Sequence, residues 1–98
     1  MAESLALPEQ LRHEEAPTWI GRLEAAIAAQ RRGPNGAPAL IDCSALNRFD
    51  SSAVVVLLGA LRSAQAAGVP ITLKNLPDKL LKLASLYGAD SLLLASVA

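Results

Sequence analysis

The sequence predicts an α/β domain in which strands and helices alternate, strand–helix–strand–helix–strand–helix–strand, around a central βαβ crossover. Three observations carry that prediction. Short apolar runs at residues 39–43 and 69–74 are bounded by turn residues and have the length of buried strands. Around them lie longer segments with apolar residues at helical spacing, opened or closed by proline, serine and glycine. The composition is aliphatic: 52% of residues are hydrophobic, yet there is one Trp, one Tyr and one Phe, so the core must be Leu, Ile, Val and Ala. Two strands joined through a helix in this way form a right-handed, parallel crossover.

Each element has its own reason. Residues 4–7 read as a short strand, followed by a polar stretch over 11–15. Pro17 suits a first helical turn, where its missing N–H costs nothing. Ile20, Leu23 and Ile27 follow at helical spacing with Trp19 and Ala26 beside them, which predicts a helix over 17–31. Gly33-Pro34-Asn35-Gly36 should stop it. The strand at 39–43 leads to FDSSAVVVLLGAL, where propensity and length disagree. Val54, Val55 and Val56 favour a strand, but the apolar run continues to Ala64 and contains Gly59 and Ala60, poor strand interior. Asp50-Ser51-Ser52 offers N-cap chemistry and Gly68 a C-cap, which predicts a helix over 52–66. A strand at 70–74 tolerates Pro70 at its start. Pro77 opens a third helix with Leu80, Leu83, Ala84 and Tyr87 on one face, and residues 91–95 read as a last strand or turn.

Composition also excludes function classes. The 98 residues suffice for one domain, and nine basic residues balance nine acidic ones, against the basic patch of a nucleic-acid binder. A single cysteine, Cys43, forbids an internal disulfide and fits a cytoplasmic protein. The N-terminus has neither basic flank nor sustained apolar segment, so no signal peptide is expected. The longest apolar run, 53–61, is about half the ~20 residues of a membrane span, so no direct membrane insertion is expected. Cys43, in an apolar strand without a nearby His, reads as a structural thiol, and His13 as a solvated loop residue. No metal-ligand spacing, paired carboxylate or phosphate loop is present, which implies no cofactor and no catalysis.

The stretch with most to say is Asp50-Ser51-Ser52. It lies past the carboxyl end of a strand, at a helix N-terminus, the edge where open α/β sheets bind ligands and partners. Taken alone it is a plain N-cap in which the Ser51 hydroxyl accepts a free backbone N–H, worth ~1 kcal/mol.

The longer segment LIDCSALNRFDSSAVVVLLGAL resembles STAS domains, the fold of bacterial anti-sigma-factor antagonists: a central strand, the linker Leu46-Asn47-Arg48-Phe49, an aspartate with two hydroxyls, then an aliphatic helix. Ala53 stands where many members have glycine. The resemblance covers about residues 4–95 as a single domain and implies a small mixed β-sheet with helices packed against it. It also implies a partner surface centred on Asp50, Ser51 and Ser52, with Asn47 and Arg48 at its rim. Two roles follow from it. LALPEQL and NLPDKLLKLASLYGADSLL resemble the Mla-type (MlaB) STAS subunit, which binds and regulates the cytoplasmic ATPase of an ABC transporter for phospholipid trafficking and outer-membrane lipid asymmetry. A hydroxyl at the position of Ser51 matters in that contact, and the protein would sit in the cytoplasm, peripheral to an inner-membrane complex. The alternative is an anti-sigma-factor antagonist whose partner serine kinase phosphorylates the position of Ser52. The added charge, about −1.5 to −2, would lie beside Asp50 and expel a docked partner.

Overall fold

The strand at the middle of the sheet buries Ala39 and Ile41 and leaves Leu40 and Asp42 half-buried, the period of two that a pleated strand imposes. In the computed structural model, which describes residues 3–32 and 39–96, the elements run β1 (Glu3–Ala6), β2 (Gln10–Leu11), α1 (Ala16–Arg32), β3 (Ala39–Asp42), β4 (Arg48–Phe49), α2 (Ser51–Ala67), β5 (Ile71–Lys74), α3 (Asp78–Ser85) and α4 (Asp90–Leu94). β3 lies between β1 and β5 and runs parallel to both, with Ile41 level with Leu5 on one side and Leu73 on the other. The crossover β3–α2–β5 is therefore present as expected. A second sheet, not expected from the sequence, pairs Gln10 with Arg48 and Leu11 with Phe49. The polar stretch after residue 7 thus contributes a strand, and the expected mixed sheet is resolved, among the described residues, as two parallel sheets, one of three strands and one of two. The Gly33-Pro34-Asn35-Gly36 turn lies outside the described residues.

The core is aliphatic. Leu7, Leu11, Leu23, Leu57, Leu73, Leu80 and Leu93 are all buried. α1 presents Trp19, Leu23 and Ile27 inward and packs against α2, β1 and β3. Ile20, expected on that face, is 38% exposed instead. It sits about 100° around the helix from Trp19, and the larger ring takes the inward place. The Arg22 guanidinium lies 4.9 Å from the Trp19 ring centroid and covers its outer side.

α2 settles the conflict over its valines. Val54 and Val56 are 2% and 1% exposed. Burying each contributes about 1.5–3 kcal/mol, several times the few tenths by which a β-branched residue disfavours a helix. Gly68 ends the helix at φ 70°, and the Val69 N–H donates to the Ala64 carbonyl at 2.9 Å, closing the last turn.

The C-terminal region departs from expectation twice. α3 ends at Ser85 with Leu80 and Ala84 buried, so Tyr87 falls in the following turn and is 63% exposed rather than on the buried face. Of residues 91–95, expected as strand or turn, 91–94 belong to the short helix α4 and Ala95 is its C-cap, in a turn. Strand alternation would bury Ser91 and Ala95 along with Leu93, whereas of residues 91–95 only Leu93 turns inward. Just beyond it, the Ser96 carbonyl accepts the Leu73 N–H at 2.7 Å, one bond on the edge of β5.

Candidate functional site at the start of α2

The chain leaves β3 through Cys43 and Leu46, both buried, which anchor an otherwise exposed turn. Burial, and then the negative charge of Asp42, push the Cys43 thiol up to about 12, the behaviour of a packed structural sulfur. Asn47 and Arg48 are exposed on the next segment, and their N–H groups both donate to the Glu9 carbonyl at 2.9 Å. That fork, with the β2–β4 ladder, ties the loop before α2 to a segment nearly forty residues upstream.

Asp50 is the pivot. Its backbone is extended (φ −123°, ψ −166°), and its Oδ1 accepts the Ser52 N–H at 2.8 Å. Asp50, not Ser51, is therefore the N-cap, which corrects the expectation from sequence. Asp and Ser cap about equally well, so the sequence alone does not choose between them; the extended β4 ending at Phe49 does, by making Asp50 the last non-helical residue. The second carboxylate oxygen, Oδ2, accepts the His13 N–H at 3.3 Å and lies 3.7 Å from His13 Nδ1. His13 Nε2 in turn lies 2.9 Å from Glu14 Oε1. Partial desolvation works against ionisation of Asp50, but bonds from Ser52 and then His13 outweigh it and hold the carboxyl below its usual range.

The two serines face different surroundings. Ser52 stays on the Asp50 carboxylate. Ser51, the first helical residue, lines a shallow apolar depression of about 180 Å³ with Val54, Val55, Leu58 and Tyr87. Val55 is 61% exposed there. Asn47, Arg48, Asp50, Ser51 and Ser52 thus come together at one corner. Sequence reasoning missed three neighbours: His13, Val55 and Tyr87. No local signal places His13 there, because its position depends on the long-range β2–β4 pairing. Val55 was legible as the one valine of the triplet that helical phase turns outward.

A second polar cluster, past the ends of β3 and β5, is structural. Asn75, at φ 59°, donates through Nδ2 to Asp42 Oδ1 at 3.0 Å, and the Ser44 N–H donates to the same oxygen at 3.0 Å. These bonds hold Asp42 below the usual carboxylate range. Among the described residues, no three His, Cys, Asp or Glu side chains gather to hold a metal, and no helix is long and apolar enough to cross a membrane.

The same fold recurs in known proteins. A family model described as "Mlab, STAS domain" matches residues 2–95. A sulfate transporter family protein from Wolinella succinogenes superposes with a TM-score of 0.73 at 15% identity, over 98% of this chain and 75% of that one. An anti-sigma-factor antagonist (STAS) domain protein from Planctomyces limnophilus gives 0.71 at 17% identity, over 91% and 76%. No curated protein matches the sequence. STAS domains are in general non-catalytic interaction and regulatory domains. With a family model spanning nearly its whole length and a fold shared with these structures, the chain belongs to the STAS domain family.

Proposed function

We propose that this STAS domain is a non-enzymatic accessory subunit that binds and regulates the cytoplasmic ATPase of an ABC transporter for phospholipids, through the corner formed by Asn47, Arg48, Asp50, Ser51 and Ser52. The observation that carries the reading is the match of residues 2–95 to the Mlab STAS model, joined to the placement of Ser51 beside an exposed apolar depression. A hydroxyl at the edge of an apolar hollow gives a partner one directional contact within a water-excluding surface, the usual anatomy of a binding centre. Arg48, exposed beside it, acts at the rim.

The test is a pull-down with the ATPase of a phospholipid ABC transporter, run beside a thermal melt. Ser51→Asp puts a carboxylate in the first turn of α2, where the helix dipole favours it, so the variant folds. Buried against a partner without a counter-charge, that carboxylate costs several kcal/mol, and the complex is lost. A folded Ser51→Asp protein that still binds the ATPase would overturn the reading.

A second reading has one observation in its favour. Ser52 lies directly on the Asp50 carboxylate, so phosphorylation there would set a phosphate against a carboxylate and disturb the cap of α2. That suits an anti-sigma-factor antagonist switched by a serine kinase. Incubation with such a kinase and mass measurement of Ser52 separates the two readings.

A further inference from the structure

The outward face of α2 carries a pattern that begins at the corner described above and runs beyond it. Ser51, Val55, Leu58, Arg62 and Gln65 recur at alternating steps of four and three, the spacing of a helix seam that packs along another helix. Among the described residues, Val55, Arg62 and Gln65 are exposed along it, while Ser51 and Leu58 are half-buried. Val55 is 61% exposed, and two depressions meet at Leu58. One, bounded by Tyr87, is the hollow beside Ser51. The other, about 410 Å³, is bounded by Arg62 and Leu92. Tyr87 and Leu92, 63% and 57% exposed, flank the seam as apolar walls.

The two ends of the seam carry opposite charge. Asp50 stands at its start, and Arg62 near its end has no acidic side chain in salt-bridge range among the described residues. Twelve residue steps along the helix separate them, about 18 Å. A second α2 laid antiparallel, with a two-fold axis between Val55 and Leu58, seats each Val55 on the Leu58 of the other copy. It also brings each Ser51 opposite the Arg62 of the other copy and each Asp50 within reach of that guanidinium. The surface is thus self-complementary in shape and in charge, the condition for a closed two-fold contact. Its exposed apolar side chains amount to roughly 400 Å² per copy, the size of the largest apolar patch on a typical monomer. With the polar rim, two copies bury on the order of 1,000 Å², the lower end for specific interfaces, which fits a reversible dimer.

We infer that the outward face of α2 is the docking surface for a second copy of this chain, antiparallel and two-fold symmetric. The dimer covers Asp50 and Ser51, so self-association and the binding of any partner at that corner exclude each other. The inference does not rest on the transporter reading, and its test needs no other protein.

The test is sedimentation equilibrium of the full chain from about 10 µM to about 1 mM, which spans dissociation constants of weak, reversible contacts. The weight-average mass is expected to rise from 10.2 kDa towards twice that value. Val55→Glu should stay monomeric at every concentration, and Arg62→Glu should weaken association at least tenfold, two attractions having become repulsions. Circular dichroism of both variants checks that these exposed substitutions leave the fold intact. Geometry is read by cross-linking with a short bis-maleimide, which leaves buried Cys43 untouched. Cysteines replacing Val55 lie about 10 Å apart across the dyad and should link, whereas those replacing Gln65 lie about 25 Å apart and should not. A wild-type chain that remains monomeric throughout overturns the inference, whatever else binds the face. So does a dimer that survives Val55→Glu, or one that links through Gln65→Cys and not Val55→Cys.

Discussion

Replacing Asp50 by alanine removes two bonds with one side chain, and the structure lets the cost be apportioned. Loss of the cap on the Ser52 N–H, made at 2.8 Å, costs about 1 kcal/mol. The bond from the His13 N–H is longer, 3.3 Å, and exposed, so it adds about half a kcal/mol, the low end for a hydrogen bond. The sum of about 1.5 kcal/mol corresponds to a fall in Tm of about 6–12 °C for a chain of this size. Asp50→Asn should lose far less, because asparagine caps a helix as well as aspartate does. Ser51→Ala should be nearly silent, its hydroxyl having no part in the cap. Urea and thermal unfolding followed by circular dichroism give the ranking directly. The charge of Asp50 adds a pH signature. Its folded-state pKa is lowered, so its stabilisation is complete above the unfolded value near 3.9 and fades as pH falls through the folded one. The gap between wild type and Asp50→Ala should therefore narrow below about pH 4. A Ser51→Ala protein as unstable as Asp50→Ala would refute the reasoning by returning the cap to the serine.

Three further outcomes follow from named contacts. Cys43, buried and with its thiol pushed up to about 12, should react with thiol reagents only as fast as the domain unfolds, which labelling with and without urea measures. Gly59 is exposed in mid-helix, and an added Cβ would meet nothing within 4 Å, so Gly59→Ala should raise stability by about 1 kcal/mol in a thermal melt. If the proposed ATPase is the partner, Arg48→Ala should slow association with it, most visibly at low salt, and weaken the complex less than Ser51→Asp does, as surface plasmon resonance would read.

Length and periodicity carried most of the architecture. α1, β3, α2 and β5 were legible because each is long enough, or sharply enough bounded, for its apolar pattern to speak. The valines of α2 show why length outranks propensity: burial at Val54 and Val56 dwarfs the local preference for a strand. What stayed hidden was short or long-range. β2 and β4 span two residues each, too few for any period, and their pairing depends on chain segments far apart. α4 has one inward residue, Leu93, which gives no pattern at all. The site divides in the same way. Asp50, Ser51 and Ser52 were singled out by local chemistry as a candidate, while the choice of Asp50 as cap and the presence of His13 follow from where β4 ends and what it pairs with.

The two-residue ladder joining β2 to β4 also sets how this corner breathes. β3 is flanked on both sides, so its amides should exchange with solvent only when the whole domain opens. The N–H groups of Asn47 and Arg48, held by a single carbonyl of Glu9, need only a local release of a few residues. Hydrogen exchange there should run well ahead of the core. A partner that grips Arg48 and Asp50 together would clamp this strap from outside, so the slowing of those two amides reports occupancy of the corner even where the partner touches no part of residues 9–13.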